Sequence, residues 1–204
     1  FLAMSMISVI TSNLLPSITR AFARENYQEL QRIYLTLLQI CFGMGLLILI
    51  NMISVGPDFI DIWVGRDSYV GDFCFYLILC HLLLNTILWP ADAVIIGTSK
   101  HKTYALVTVI EGIINVVLSI FWVQIWGVAG VISATIFARV SSSFWFMIRK
   151  SAEITGVSVL KTFEKTFSPF MLPLIGSLLV IFLLELDQKL LKTHKHEYKN
   201  LLNK

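Results

Sequence analysis

Charged side chains are scarce in this sequence. They make up 14% of its 204 residues, whereas hydrophobic residues make up 56% and the mean hydropathy is +0.77. A soluble domain carries about 25% charged residues, because its whole surface faces water. The scarcity of charge excludes an ordinary water-soluble domain and predicts an integral membrane protein.

Cysteine and the short motifs of familiar enzymes are also lacking. The three cysteines, Cys41, Cys74 and Cys80, have no regular spacing, which excludes a disulfide framework and a cysteine metal site. The sequence has no phosphate-binding loop, dinucleotide fingerprint or nucleophile elbow. The histidine-rich run 194–197 lies in a polar tail, so we interpret it as solvated and not as a metal site. The sequence therefore predicts no catalytic residue, no metal, no cofactor and no enzyme activity.

What the sequence has instead is long apolar runs. A helix needs about 20 apolar residues to cross the hydrocarbon core of a bilayer, and about six runs approach that length. The predicted fold is all-α: a polytopic transmembrane helix bundle over residues 1–186, followed by a basic polar tail at 187–204. Pro169 and Pro173 make the sixth helix the least secure, since proline disrupts the backbone hydrogen bonds. The helices are predicted at about 1–19, 33–53, 73–96, 104–123, 127–148 and 167–186.

The connections between these runs predict the orientation of the bundle. Lys and Arg in short loops favour the cytoplasm, and they concentrate after the first, third and fifth helices. The uncharged connection 124–126 is so short that helices four and five form a tight antiparallel pair. Five lysines after the sixth helix break the alternation; an outer basic tail, a re-entrant sixth helix or a misplaced segment would each account for them. The net charge of +3 is thus loop and tail charge, and no nucleic-acid partner is predicted.

Polar side chains nevertheless recur inside the apolar runs at helical spacing. Helix four carries Tyr104, Thr108, Glu111, Asn115 and Ser119 at every third or fourth position, which places all five on one face. Polar groups in hydrocarbon are expensive and face protein or a water-filled cavity. The stripe predicts that helix four lines a polar interior. Similar series occur on helix three (His81, Asn85, Trp89, Asp92), helix one (Ser5, Ser8, Ser12, Pro16, Thr19) and helix five (Thr135, Arg139, Ser142).

The ionisable members of these stripes are the stronger functional candidates. Arg139 lies about twelve residues into helix five, where a charge costs roughly 2.5 to 3.5 kcal/mol on insertion scales. A pair between Glu111 and Arg139 would offset the cost of both charges. Other interpretations stay open: Arg139 could extend to the cytoplasmic interface, Asp92 could be an interfacial charge, and the Ser, Thr and Asn side chains could serve interhelical packing.

The stretch 97–138 resembles the corresponding region of bacterial polysaccharide and lipid-linked oligosaccharide flippases of the Wzx type. In that pattern a Gly-x-x-Lys turn precedes a helix that carries an Asn, and a Gly-x-x-Gly turn opens a helix with an Ala-Thr pair. A proline near the end of the first helix and a short outer turn before the third are similar too, so the resemblance covers about residues 1–150. The matching residues are Pro16, Trp63, Gly65, Gly97, Lys100, Asn115, Gly127, Gly130, Ala134 and Thr135.

The resemblance implies the C-terminal half of a transporter of about 12 to 14 helices, with two pseudo-symmetric bundles around a central cavity and alternating access. Phe1 begins inside an apolar run, which we expect of a piece of a longer protein. The implied function is a flippase that moves an undecaprenyl-pyrophosphate-linked oligosaccharide across the bacterial inner membrane. That cargo would be a repeat unit of O-antigen lipopolysaccharide, capsule or another polysaccharide. The implied partners are this lipid-linked oligosaccharide, membrane lipids, a polysaccharide polymerase and a chain-length regulator.

On this interpretation the polar stripes supply the transport site. Arg139 is the candidate for attracting the anionic headgroup, and Asn115, Asn85 and Tyr104 are candidates for sugar or headgroup contacts. Glu111 and Asp92 are candidates for ion or proton coupling.

Three other functions compete with this one. A multidrug or cation antiporter of the same superfamily would depend on a membrane-embedded acid such as Glu111. A membrane-embedded polysaccharide polymerase or ligase would need a large outer loop with catalytic residues, and the connection 54–72 is small. A structural scaffold would not need polar stripes on several helices.

Overall fold

Every regular element in the part of the chain that the structure describes is a helix. The computed structural model describes residues 2–63, 65, 71–99, 101–171 and 173. The all-α prediction is confirmed over these residues. The elements are α1 (Leu2–Ala23), α2 (Tyr27–Trp63), α3 (Asp72–Gly97), α4 (His101–Trp126), α5 (Val128–Arg139), one π-helical turn (Val140–Phe144) and α6 (Trp145–Thr155).

The chain divides into two compact units, Phe1–Thr166 and Phe167–Lys204. The first unit contains α1 to α6 and a further helical segment at 159–166. In the second unit residues 167–171 are helical. Most of the predicted sixth span, the whole predicted tail 187–204, Arg66 and Lys100 lie outside the described residues.

Within the described residues, four helices are long and apolar enough to cross a membrane. They are Tyr27–Gly56 within α2, α3, α4, and the continuous helix Val128–Thr155 that α5, the π turn and α6 form together. By length and composition the chain is therefore a helical membrane protein. α1, which overlaps the predicted first span, is not among these four.

The central helix of the first unit is α3, which contacts α1, α2, α5 and α6. Its side chains Leu88 and Val94 are fully buried. α2 is joined to α6 by the buried Tyr34, whose hydroxyl lies 2.9 Å from the Ser151 hydroxyl. α4 differs from these helices, since none of its residues is buried and its main partner is α5. One face of α4 is thus covered, and a wide apolar face is exposed.

The polar connection predicted at 20–32 is much shorter in the structure. α1 ends at Ala23 and α2 begins at Tyr27, so most of the charged residues lie on helical ends. The Asn26 Oδ1 accepts a hydrogen bond from the Glu29 backbone N–H at 3.1 Å, and its Nδ2 donates to Glu29 Oε2 at 3.0 Å. This arrangement is related to a capping box and starts α2 early. The Asn-x-x-Glu pattern that produces it is visible in the sequence.

The connection predicted at 54–72 is shorter too, because α2 continues to Trp63. The Gly-Pro pair at 56–57 favours a helix end in the sequence. In the structure Gly56 is buried, and a Cβ at this position would lie 2.8 Å from the Phe75 ring of α3. Gly56 therefore allows close packing between α2 and α3 and does not end the helix.

The predicted tight pair of helices four and five is present as the α4–α5 hairpin. Gly127 alone joins the two helices, with a φ of +57° that favours glycine. Gly130 lies so close to α4 that a side chain would overlap the backbone carbonyl of Trp122. Gly130, Ala134 and Ala138 are all buried, so this row of small residues packs α5 closely against its neighbours.

We expect Gly130→Ala to destabilise the hairpin by about 1 to 3 kcal/mol, the usual range for overpacking. The matched control is Gly112→Ala on α4, because a Cβ there meets nothing within 4 Å. That change should stabilise slightly, since alanine favours helix over glycine. Thermal unfolding of the purified protein, followed by circular dichroism, measures both effects. Equal melting temperatures for the two variants would contradict the close approach.

Candidate functional site

An ion pair between α4 and the end of α5 forms the centre of the candidate site. Arg139 Nη1 lies 3.8 Å from Glu111 Oε1, and the two side chains are only 21% and 16% exposed. The distance exceeds that of a hydrogen bond, so the attraction is electrostatic. The Ser143 hydroxyl donates a hydrogen bond to Glu111 Oε2. The predicted Glu111–Arg139 pair is therefore present, and a buried hydroxyl supports its carboxylate.

The π-helical turn determines which hydroxyl reaches Glu111. It begins directly after Arg139 and contains the run Ser141 to Ser143. A π turn holds more residues than an α turn and is frequent at functional sites. Ser143 is buried and faces Glu111, whereas the Ser142 hydroxyl bonds to the Ala138 carbonyl of its own helix. The sequence series that ended at Ser142 assumed an unbroken α-helix and so missed Ser143.

A cavity of about 310 Å³ lies beside the ion pair. Pockets that hold small molecules have volumes of about 300 to 1,000 Å³, so this one is at the small end. α3 contributes an acid and an indole, α4 a phenol, α5 a guanidinium and α1 hydroxyl groups. The lining residues are Ser8, Thr11, Ser12, Leu15, Trp89, Asp92, Ala93, Ile96, Tyr104 and Arg139.

Two polar atoms of the cavity lining are buried without a hydrogen-bond partner. They are the acceptor Asp92 Oδ1 and the donor Arg139 Nε. Asp92 is only 8% exposed, and such a group normally has a partner, because an unsatisfied buried group costs about 1 to 3 kcal/mol. A ligand or water with both a donor and an acceptor would satisfy the two atoms together. His81 Nδ1, earlier on α3, is a third unsatisfied buried atom.

Acidic groups outnumber basic groups around the cavity. Asp92 and Glu111 contribute two carboxyl groups and Arg139 one guanidinium. The guanidinium is also partly engaged by Glu111. The cluster as it stands is therefore better suited to neutral polar groups or cations than to an unpaired anion.

The structure brings together some of the sequence-predicted residues and separates others. Asp92, Tyr104 and Arg139 line the cavity, and Glu111 pairs with Arg139. Asn85 does not line it: this side chain is 3% exposed, and its Nδ2 donates to the His81 carbonyl on its own helix.

Asn115 links helices and is not part of the cavity lining. Its Oδ1 accepts hydrogen bonds from Ser119 on α4 at 3.1 Å and from Thr135 on α5 at 3.2 Å. These contacts match the interhelical packing that the sequence left open as an alternative for its Asn and Thr residues. The Asn of the resemblance and the Thr of its Ala-Thr pair therefore contact each other across the hairpin.

Sequence reasoning did not single out Thr11 on α1 or Ser143 as site residues. Ser8 and Ser12 belonged to a predicted polar series, but only the tertiary contact of α1 with α3 brings them to Asp92. Thr11 lies next to Ser12 in the sequence, and its hydroxyl donates a hydrogen bond to the Ile7 carbonyl at 2.8 Å. The run of three serines at 141–143 was the available signal for a hydroxyl group near Arg139, but it does not specify the π turn.

Among the described residues, no group of three or more His, Cys, Asp or Glu side chains could hold a metal ion. The arrangement offers hydrogen-bonding and charged groups in a recess between helices, which is suited to binding a polar molecule.

No protein-family model, no curated protein and no solved structure matches the chain. The resemblance to the flippases therefore rests on the residues quoted above and stays a prediction.

We expect Glu111→Gln and Arg139→Gln each to destabilise the protein by about 3 kcal/mol, because each leaves one charge uncompensated in a partly buried site. The double variant should lose much less than the sum of the two. Denaturant unfolding of the purified protein in detergent gives the coupling energy.

The control for this cycle is Glu153→Gln, which breaks the pair with Lys150 on a side chain that is 68% exposed and should change stability little. If the losses of unfolding free energy in Glu111→Gln and Arg139→Gln were additive in the double variant, this would contradict a stabilising ion pair.

Proposed function

We propose that this chain is the C-terminal half of a flippase for an undecaprenyl-pyrophosphate-linked oligosaccharide in the bacterial inner membrane. The observation that supports the proposal best is the polar cavity formed between α1, α3, α4 and α5. Three of these helices belong to the apolar spans, yet they place an acid, a phenol and a guanidinium around one recess. Hydrophobic packing between helices does not require polar side chains around a recess, because such groups are costly within a membrane.

The physical problem of a flippase is to move sugar hydroxyls and a diphosphate through hydrocarbon. Each unsatisfied polar group would cost several kcal/mol there. A recess with donors and acceptors lowers this barrier, while the lipid tail stays in the bilayer. A cavity of about 310 Å³ is too small for a whole oligosaccharide, so the proposal requires an opposite wall from the other half of the transporter.

The geometry refines the roles of the charged residues. While Glu111 holds Arg139, the guanidinium offers chiefly its unpaired Nε, and Asp92 offers Oδ1. Sugar hydroxyls, which both donate and accept hydrogen bonds, could satisfy each of these atoms. Arg139 would attract the diphosphate only after it separates from Glu111. Glu111 thus becomes the coupling residue of the proposal, because its charge controls whether Arg139 is free for an anion.

In this proposal the chain is a transporter and has no catalytic residue or cofactor. A polysaccharide polymerase and a chain-length regulator would act on the cargo after its delivery. A polymerase or ligase function has no support from the described residues, whose polar cluster lies between helices and not on a large outer loop.

A cation or drug antiporter is the second candidate, and the excess of acidic over basic groups favours it. Two carboxylates against one guanidinium, next to the Trp89 and Tyr104 rings, suit an organic cation. This function would make Asp92 and Glu111 essential for drug resistance, whereas the flippase would make them essential for surface glycan.

We expect Asp92→Asn and Arg139→Gln, made in the intact transporter, each to reduce surface glycan about tenfold or more. The estimate is the loss of one charge-assisted hydrogen bond during transport. Glycan-specific labelling of whole cells measures the effect. The matched controls are the exposed Asp58→Asn on α2 and the exposed Arg32→Gln near its start, which should leave export unchanged.

Immunoblotting must show equal amounts of each variant in the membrane. Normal glycan with lost resistance to cationic drugs would replace the flippase with the antiporter, and normal values of both would refute a role for the cavity.

A further inference from the structure

A second recess lies on α6, outside the cavity described above. It is a surface groove of about 370 Å³ lined by Trp145, Phe146, Arg149, Lys150 and Glu153. Trp145 and Arg149 are four residues apart, as are Phe146 and Lys150. Two aromatic rings therefore lie one helical turn before two cationic groups, on the same side of the helix.

The groove has one engaged cation and one free cation. Lys150 Nζ lies 2.8 Å from both carboxylate oxygens of Glu153. Arg149 is exposed and makes no hydrogen bond or ion pair with any residue that the structure describes. The cluster has two positive groups and one negative group, so it has the charge to bind an anion. A guanidinium next to an ammonium is suited to a phosphate.

The depth of the groove in the membrane indicates where the phosphate comes from. The span Val128–Thr155 has 28 residues and is about 42 Å long, against a hydrocarbon core of about 30 Å. Arg149 lies 21 residues after Val128, or about 31.5 Å along the helix, so with Val128 at one boundary of the hydrocarbon core it reaches the lipid headgroups at the other. Trp145 is one turn deeper, where interfacial aromatic rings lie beside the glycerol and upper acyl chains.

We propose that this groove binds the headgroup phosphate of an anionic phospholipid. Arg149 and Lys150 donate to the phosphate, and Trp145, which is 49% exposed, packs against the lipid below it. The distribution of Lys and Arg in the loops places this end of the span on the cytoplasmic side, where anionic lipids attract basic residues. The site is separate from the transport cavity and does not depend on what the protein transports.

The test uses the purified protein in vesicles of phosphatidylcholine that contain a minor fraction of phosphatidylglycerol. Brominated acyl chains on one or the other lipid quench nearby tryptophan, and Trp145 reports on this groove. We expect phosphatidylglycerol to occupy the groove at least about tenfold more tightly than phosphatidylcholine, and the Arg149→Gln/Lys150→Gln double variant to lose this preference.

Two further variants make the result specific. Arg149→Lys should keep part of the preference, because a cation is still present, and Arg32→Gln, an exposed cation at the start of α2, should keep all of it. Trp145→Leu should remove the quenching component that depends on phosphatidylglycerol. An unchanged preference in the double variant would overturn the site. Equal displacement by inorganic phosphate would reassign it to a free anion, and occupancy by added undecaprenyl phosphate alone would reassign it to the cargo.

Discussion

The arrangement of the site depends on one interaction, the ion pair between Glu111 and Arg139. α4 has no buried residue of its own, and the contacts that position it come mainly from α5, with smaller ones from the π turn and α3. Close packing at Gly130 and the hydrogen bond between Asn115 and Thr135 determine the register of the hairpin. In that register the Glu111 carboxylate and the Arg139 guanidinium meet within apolar spans, where an unpaired charge is costly. The pair in turn directs the guanidinium toward the cavity.

The cavity exists because four helices present polar side chains to the same volume. Asp92 and Trp89 come from α3, which is packed tightly on its other sides, while the hydroxyls of α1 close the opposite side. Every group in the recess except Asp92 Oδ1 and Arg139 Nε has a partner or partial exposure. On the proposed function, these two atoms are where a cargo molecule would gain hydrogen bonds on entering.

The sequence predicts the faces of the helices well but not their depths or contacts. The three- to four-residue spacing on α4 was sufficient to place Glu111 opposite Arg139, because a tight hairpin leaves the two helices little freedom to rotate relative to each other. Asn85 shares its stripe with Asp92, yet it lies about two turns away and is buried, since periodicity gives a face and not a level along the helix. Ser143 contacts Glu111, and Ser142 does not, because of the π turn. No residue pattern specifies that turn. The sequence places the start of α2 too late, because the capping side chain of Asn26 allows the helix to begin within a polar segment. It places the end of α2 too early, because Gly56 packs against α3 and does not end the helix.

Both candidate functions require a water-accessible polar cavity among the apolar spans. The direct test is the reaction of one introduced cysteine with a charged thiol reagent that does not cross membranes, in a background where the exposed Cys80 is replaced by serine and only the buried Cys41 and Cys74 remain. Ser12→Cys lies in the cavity lining, and Ile113→Cys lies on the opposite, apolar face of α4. We expect rapid modification of Ser12→Cys in the intact membrane and none of Ile113→Cys. Equal reaction at both positions, or protection of Ser12→Cys, would contradict it.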